Sequence, residues 1–242
     1  MRLFCFPYAG GSAVVFDGWQ KKLPENVDIF AIQAPGRGPR FGEDPIGNLE
    51  DKVKVLRKEI APYLDIPFMF LGHSNGAMLA FELSRELQRD KALWESQLKQ
   101  RYWHLVLSGK RAIHLPKSKD DMHHLPFDDF ISRLKDYNGT PKEILEHREL
   151  MELYMPVLRA DFSLSETLQY NSDIQLDVPT TVYYGAQDVD VPEDDVKAWQ
   201  QLITPEVNFT KFAGDHFFIN SQREEYLAHL NQLLRKQFMQ HL

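Results

Sequence analysis

Apolar residues along the chain follow two alternating patterns. Short and nearly continuous apolar runs, typical of strands buried on both faces of a sheet, occupy residues 2–6, 27–33, 68–71, 104–107, 180–184 and 207–212. Between these runs, the spacing of apolar residues predicts helices at residues 16–23, 49–60, 77–88, 193–202 and 227–238. The chain is therefore expected to alternate strands with helices.

This alternation predicts an α/β fold, in which helices cover both sides of a mostly parallel sheet of about six strands. The alternation stops between residues 113 and 172, where the pattern is largely helical, carries several prolines and lacks a convincing strand. We expect this segment to form a helical cap over the carboxyl edge of the sheet, where open α/β sheets bind their ligands. The predicted core comprises residues 1–112 and 173–242, and the cap comprises residues 113–172.

A serine between two glycines, in Gly72-His73-Ser74-Asn75-Gly76, lies at a predicted change from strand to helix. The pattern G-x-S-x-G is that of the nucleophile elbow of α/β-hydrolases, where a tight turn holds the serine in a strained conformation with its hydroxyl exposed. A side chain at either glycine would collide with the adjacent strand or helix. The helix after the turn directs its positive end toward any anion that forms beside Ser74.

A nucleophilic serine needs a base and an orienting acid, and in this fold the acid precedes the histidine along the chain. Asp188 follows a predicted strand in YYGAQDVDV, and His216 follows the next strand in FAGDHFF. Both lie at carboxyl ends of strands, on the same edge of the sheet as Ser74. We therefore predict a triad of Ser74, His216 and Asp188, with Asp190 as the rival acid.

Two other features could suggest different chemistry. His73 adjoins the serine, but its side chain should leave the sharp turn in another direction, so we predict a packing role. The segment DDMHHLPFDD, residues 120–129, places His123 and His124 among acidic residues. It has neither a helical i, i+4 histidine pair nor a known ligand spacing, which favours a solvated cap segment over a metal site.

Composition narrows the class of protein. The 242 residues carry a formal net charge of −7 without a basic block, so nucleic acid is not an expected partner. No apolar run is long enough to span a membrane and the first residues do not form a secretory signal, so we expect a cytoplasmic protein. Cys5 is the single cysteine, which excludes an internal disulfide and a zinc site built on thiolates.

In its motifs the chain resembles the type II thioesterases, free-standing α/β-hydrolases that accompany nonribosomal peptide and polyketide synthases. The resemblance covers nearly the whole chain and rests on six motifs in the correct order: LFCFPYAGGSA, QAPGRGPR, LGHSNGAMLAFELS, PVLRADFSLSETLQY, VPTTVYYGAQDVDV and FAGDHFFI. Together these six motifs are highly specific.

The resemblance implies that Ser74 is the nucleophile, that His216 is a general base and then a general acid, and that Asp188 orients the histidine. It also implies an oxyanion hole formed by the backbone N–H groups of Asn75 and Ala9. Two preorganised donors fit the chemistry, because an acyl-transfer intermediate carries its charge on one oxygen.

The chain departs from the family pattern at two positions. Family members often have methionine where Asn75 stands, a difference that leaves a backbone donor undisturbed. Glutamate is frequent where Gly38 stands, and this departure leaves the task of the neighbouring Arg37 loop open.

The implied reaction is hydrolysis of an acyl thioester on the phosphopantetheine arm of an acyl or peptidyl carrier protein, without a cofactor. The family clears stalled or wrong acyl groups from such carriers. Cap helices, including residues 156–168, would shape the acyl chamber, and four residues could either line it or form the core of the cap: Phe127, Phe130, Met155 and Phe162. Because carrier proteins are usually acidic, the charge of −7 predicts docking through apolar contacts and a local basic spot.

Two other functions are compatible with the same residues. The triad also serves esters and amides, so a carboxylesterase or acyltransferase for small molecules is one alternative. A catalytically silent binding protein with this fold is the other, although retention of all three triad members argues against it. Met1 directly precedes the first predicted strand, which favours a free-standing enzyme over a domain fused behind a carrier. We also expect the enzyme to be a monomer.

Overall fold

A parallel sheet forms the centre of the molecule. The structure, a computed structural model, describes residues 1–137, 139, 145–171 and 173–241. Six strands pair in the order β2-β1-β3-β4-β5-β6, and every neighbouring pair is parallel. The strands are β1 (Arg2–Phe6), β2 (Asp28–Ala31), β3 (Phe68–His73), β4 (Tyr102–Ser108), β5 (Thr180–Gly185) and β6 (Asn208–Phe212). The predicted α/β class with a mostly parallel sheet is confirmed.

Helices cover the sheet and extend beyond its carboxyl edge. The longer ones are α1 (Leu49–Ile60), α2 (Asn75–Arg89), α3 (Phe127–Lys135), α4 (Arg148–Glu166) and α5 (Arg223–Gln240). Shorter α-helical segments are Lys91–Leu93, Lys99–Arg101, Glu193–Lys197 and Phe218–Ser221. The chain also forms a π-helical turn at Trp94–Leu98 and 3₁₀ turns at Ala13–Phe16, Trp19–Lys22, Gly38–Arg40, Ala61–Tyr63 and Ala198–Leu202.

Local backbone conformation explains where the helix predictions fail. The single helix predicted at residues 16–23 is wrong, because Gly18 adopts a left-handed conformation (φ 77°) between two separate 3₁₀ turns. The helix predicted at residues 193–202 is α-helical only in its first half and continues as a 3₁₀ turn. The cap helix expected to begin at Pro156 begins at Arg148 instead, so the proline lies inside α4.

Two hydrophobic cores lie on opposite faces of the sheet. Alternate side chains of a strand point to opposite faces, which is why β1 is apolar from Leu3 to Phe6. Phe4 and Phe6 pack with α1 and α2, whereas Leu3 and Cys5 pack with α5. Burial raises the pKa of the Cys5 thiol, so this thiol stays protonated and inert.

A third hydrophobic cluster supports the predicted cap. Its buried members all come from the segment between residues 113 and 172: Met122, Phe130, Ile131, Leu134, Leu145, Met151, Met155 and Leu158. The division at residues 113 and 172 remains a prediction, and cap residues 138, 140–144 and 172, among them Pro141, lie outside the described residues, as does residue 242. In the described part of the chain, every helix is too short or too polar to cross a membrane.

A buried histidine in β4 makes the stability of the fold depend on pH. His104 is only 3% exposed, and its Nε2 atom lies 2.9 Å from Thr181 Oγ1. Burial, with a smaller contribution from the charge of Lys236, lowers the pKa of His104 from 6.5 to about 3. Between these two pH values the unfolded chain binds a proton that the folded chain does not, so stability falls as the pH falls.

We predict that His104→Gln weakens this pH dependence. For one such histidine, lowering the pH from 8 to 5 costs about 2 kcal/mol of unfolding free energy. Urea unfolding at both pH values should therefore show a smaller difference in the variant than in the wild type. The same substitution at the exposed His124 serves as the control and should leave the difference unchanged. Equal pH dependence in wild type and His104→Gln would contradict the assignment.

Candidate active site

The predicted site residues lie at the carboxyl edge of the sheet. Ala9 follows β1, Ser74 follows β3, Asp188 follows β5 and His216 follows β6. The strand order changes direction beside β1, because β2 pairs on one side of it and β3 on the other. Such a switch point leaves a crevice between the segments that follow the two strands. The loop after β1 and the turn after β3 therefore face each other across this crevice.

The turn after β3 has the geometry of a nucleophile elbow. Ser74 has φ 56° and ψ −118°, and it is the one non-glycine residue with positive φ in the described chain. A Cβ atom at Gly72 would lie 2.1 Å from the carbonyl oxygen of Gly76, and one at Gly76 would lie 2.0 Å from that of Phe6. The collisions expected from the G-x-S-x-G pattern are confirmed. Ser74 is also the N-cap of α2, so its hydroxyl lies at the positive end of that helix.

Hydrogen bonds join the three predicted triad residues. His216 Nε2 lies 2.9 Å from Ser74 Oγ, and His216 Nδ1 lies 2.7 Å from Asp188 Oδ2. An ionised carboxylate only accepts hydrogen bonds, so Nδ1 carries the proton and Nε2 is left to accept from the serine hydroxyl. This arrangement is the one that lets an imidazole remove the proton of a serine.

The structure places Asp188, rather than Asp190, beside the histidine. Asp188 is buried at 7% exposure, and its second oxygen, Oδ1, accepts the backbone N–H of Asp190 at 3.1 Å. The Asp190 carboxylate instead pairs with Lys119 at 2.8 Å. Asp190 therefore contributes a backbone contact that holds Asp188, while its side chain serves a surface ion pair.

His73 is fully buried, as expected of a packing residue, but it also holds the loop of the triad histidine. Its Nε2 atom donates to the backbone carbonyl of His216 at 2.8 Å, and its Nδ1 atom accepts from Ser108 Oγ at 2.9 Å. Burial, with the neighbouring His216 second, lowers the pKa of His73 to about 3, so the ring is neutral at neutral pH. The sequence reasoning missed this supporting contact because it joins residues far apart in the chain.

Two backbone amides are available for an oxyanion hole. In the described part of the chain, the N–H groups of Ala9 and Asn75 have no hydrogen-bond acceptor. The neighbouring Gly10 N–H is occupied, because it donates to Asp161 Oδ2 at 2.8 Å. The Asn75 side chain is occupied as well, since its Nδ2 atom donates to the Asp161 carbonyl at 2.6 Å. Both predicted donors are thus free in the described part of the chain, whereas the Gly10 amide is not.

A buried charge cluster behind these amides was not predicted. Asp161 of α4 pairs with Arg37 through two contacts, of 2.7 and 3.0 Å, and with Lys52 of α1 at 3.1 Å. Burial by itself raises the pKa of the Asp161 carboxyl, but the charges and hydrogen bonds of Lys52 and Arg37 hold that pKa below its usual value. The carboxyl is therefore ionised at neutral pH. Arg37 thus supplies one partner of this carboxylate from the loop whose task the sequence left open.

Ser74 and His216 line a cavity of about 860 Å³ between the sheet edge and the cap segment. Of the four chamber candidates, only Phe162 lines it, while Phe130 and Met155 are buried in the cap cluster and Phe127 packs against that cluster. The apolar lining includes Met78, Ile113, Leu115, Leu134, Leu158 and Phe162. The cavity therefore suits an apolar chain attached to a group at Ser74.

The histidine-rich cap segment makes an ordinary polar contact. His123 Nδ1 lies 2.5 Å from Glu166 Oε2, which ties the segment to the end of α4. Across residues 1–137, 139, 145–171 and 173–241, the structure contains no group of three or more His, Cys, Asp or Glu residues arranged to hold a metal ion.

Comparisons with known proteins agree with this geometry. The model of the thioesterase domain family matches residues 1–234. The gramicidin S biosynthesis protein GrsT of Aneurinibacillus migulanus is 37% identical over 235 residues, which cover 97% of this chain and 89% of GrsT.

Solved structures of thioesterases share the fold. RedJ, a thioesterase of the prodiginine pathway in Streptomyces coelicolor, is 33% identical with a TM-score of 0.85, covering 96% of this chain and 84% of RedJ. YbtT, a type II thioesterase of the yersiniabactin NRPS/PKS pathway, is 29% identical with a TM-score of 0.84, covering 98% of this chain and 94% of YbtT. The chain belongs to the thioesterase domain family and has its α/β-hydrolase fold.

Proposed function

We propose that this protein is a type II thioesterase that hydrolyses acyl thioesters on the phosphopantetheine arm of carrier proteins. It thereby clears stalled or wrong acyl groups during nonribosomal peptide or polyketide synthesis. The observation that carries the proposal is the hydrogen-bonded series from Ser74 through His216 to Asp188, beside a cavity that apolar side chains line in part. Family membership supports the reaction class, and the pathways named for RedJ and YbtT support the type of partner.

In the first half of the reaction, Ser74 Oγ attacks the thioester carbonyl while His216 Nε2 takes the serine proton. Asp188 stabilises the resulting imidazolium and keeps the ring in one orientation. The negative charge that develops on the carbonyl oxygen is met by the N–H groups of Ala9 and Asn75 and by the positive end of α2. The C–S bond then breaks, and His216 gives its proton to the departing thiol.

In the second half, water replaces the thiol. His216 removes a proton from the water, the water oxygen attacks the acyl carbon, and the ester bond to Ser74 breaks as the serine regains a proton. These steps need only the triad and the two amides, so we propose hydrolysis without a cofactor. The carrier's phosphopantetheine belongs to the substrate.

We propose that the segment at residues 113–172 acts as a cap whose helices enclose the acyl group, while the carrier docks at the cavity opening. Exposed apolar side chains at the cavity, including Val14, Leu150 and Tyr154, suit a docking surface based on apolar contacts. Arg223 also lines the cavity and supplies positive charge, because it contacts the backbone carbonyl of Asp17 rather than a carboxylate. This local cation compensates in part for the net charge of −7 when an acidic carrier approaches.

The choice of substrate class tests the proposal directly. We expect kcat/KM, divided by each substrate's uncatalysed hydrolysis rate, to be highest for an acyl group on a holo-carrier protein and lower for the same acyl group as a p-nitrophenyl ester. The same acyl group on free pantetheine is the control that isolates carrier docking. A clear preference for the nitrophenyl ester would identify a small-molecule esterase instead.

Removal of the nucleophile or the base should abolish most turnover. Ser74→Ala and His216→Ala should each lower kcat by about 10⁴- to 10⁶-fold, because either change leaves only binding and the oxyanion amides. Single-turnover hydrolysis of an acyl carrier protein measures the loss. Wild-type protein whose Ser74 fails to react with a fluorophosphonate probe would point to a catalytically silent binding protein.

The two neighbouring aspartates should differ in their effect. Asp188→Asn should lower kcat by about 10³- to 10⁴-fold, since an amide at this position favours the wrong tautomer of His216. Asp190→Asn is the matched control, and its effect should be far smaller because its side chain pairs with Lys119. Steady-state kinetics of both variants measure these losses. A larger fall in kcat for Asp190→Asn than for Asp188→Asn would make Asp190 the acid of the triad.

A further inference from the structure

The Asp161 carboxylate joins the cap helix α4 to the loop that follows β1. Its Oδ2 atom accepts from the Gly10 backbone N–H at 2.8 Å and from Arg37 Nη1 at 2.7 Å. Its Oδ1 atom accepts from Arg37 Nη2 at 3.0 Å and from Lys52 Nζ at 3.1 Å. The side chains of Asp161, Arg37 and Lys52 are all at least nine-tenths buried, so water does not compete for these contacts. The carboxylate is therefore fixed from both oxygens.

Two further contacts extend this attachment to the elbow and to the rest of the loop. The Asp161 backbone carbonyl accepts from Asn75 Nδ2 at 2.6 Å. Arg37 Nη1, while bound to Asp161, also donates to the Gly11 carbonyl at 2.7 Å. Asp161 and its partner Arg37 thus hold both segments that supply the proposed oxyanion donors.

The direction of the loop amides follows from these contacts. The Gly10 N–H points to Asp161, whereas the preceding Ala9 N–H has no acceptor in the described part of the chain. Gly10 adopts a left-handed conformation with φ 72°, which turns the chain directly after this hydrogen-bonded amide. If the Gly10 N–H were released, the loop could rotate and the Ala9 N–H would lose its fixed direction.

We infer that Asp161 and Arg37 are positioning residues for the oxyanion hole, and that the cap helix sets the geometry of the reacting centre through them. This inference rests on the proposed function. Neither side chain touches the substrate; both act through the backbone of residues 9–11 and through Asn75. Asp161 and Arg37 therefore contribute to stabilisation of the transition state rather than to substrate binding, because the oxyanion forms only during the reaction.

The substitution Arg37→Lys tests this inference. Lysine keeps the positive charge but cannot contact both Asp161 oxygens and the Gly11 carbonyl in the fork geometry of arginine. The loss of one oxyanion donor lowers kcat about 10²- to 10³-fold, so misplacing one should lower kcat about 10- to 100-fold with little change in KM. Lys52→Met is the matched control: in the described part of the chain, the Lys52 side chain donates a hydrogen bond to Asp161 but none to the loop or to Asn75, and its loss leaves an Arg37–Asp161 pair without net charge.

A second measurement separates positioning from damage to the fold. Butylboronic acid forms a tetrahedral adduct on an active-site serine, and one oxygen of the adduct occupies the oxyanion hole. In Arg37→Lys, its inhibition constant should rise by the same factor by which kcat falls. End-point titration with a fluorophosphonate gives the concentration of active sites, to which all rates are normalised.

Each outcome decides between distinct conclusions. Equal kcat per active site in Arg37→Lys and Lys52→Met, or an unchanged boronate constant, overturns the inference but leaves the proposed function intact. Wild-type protein that takes up no fluorophosphonate overturns the proposed function and the inference with it. If Arg37→Lys does not fold, Asn75→Ala takes its place, because it removes the hydrogen bond to the Asp161 carbonyl while keeping the backbone N–H of residue 75. The inference is supported if kcat falls, by less than expected for Arg37→Lys, and the boronate inhibition constant rises by the same factor. An unchanged kcat overturns it.

Discussion

The close approach of backbone segments at the elbow is the constraint on which the site depends. Both glycine contacts, at Gly72 and Gly76, are with backbone atoms, so no rearrangement of side chains could relieve a Cβ there. The contact between Gly76 and the Phe6 carbonyl also brings the start of α2 against the end of β1. This contact sets the distance between the Asn75 amide and the loop that contains Ala9. The strained conformation of Ser74, which costs about 1–3 kcal/mol, is therefore held by the packing of the whole sheet.

The buried charges of Asp161, Arg37 and Lys52 need an explanation other than stability. Removing one partner from a buried ion pair typically costs about 3–5 kcal/mol, yet replacing a whole pair with apolar residues is often neutral or stabilising. Apolar packing could therefore attach α4 to the core at least as well. It could not accept the Gly10 N–H or donate to the Gly11 carbonyl, as Asp161 and Arg37 do. Control of loop direction accounts for the charges better than stability does.

Sequence patterns predict those features that local geometry or topology determines. The elbow follows from glycine spacing, and the meeting of Ser74, Asp188 and His216 follows from the position of each after a parallel strand. Contacts across long separations leave no such pattern: Arg37 and Asp161 are 124 residues apart. The chamber walls were equally difficult to predict, because periodicity shows that a helix has an apolar face but not whether the cap core or the cavity covers it. Packing also overrode local preference where α4 continues through Pro156.

In the proposed reaction, the helix α4 therefore serves two parts at once. Leu158 and Phe162 line the cavity, and Asp161 lies within one turn of both on the same helix. Leu158 also approaches the loop closely, since its Cδ2 atom lies 2.9 Å from the position of a Cβ at Gly10. A displacement of α4 that makes room for a bulkier acyl group must move Asp161, and with it the amide that Asp161 fixes. In this arrangement, the size of the acyl group and the alignment of the oxyanion donors cannot vary independently.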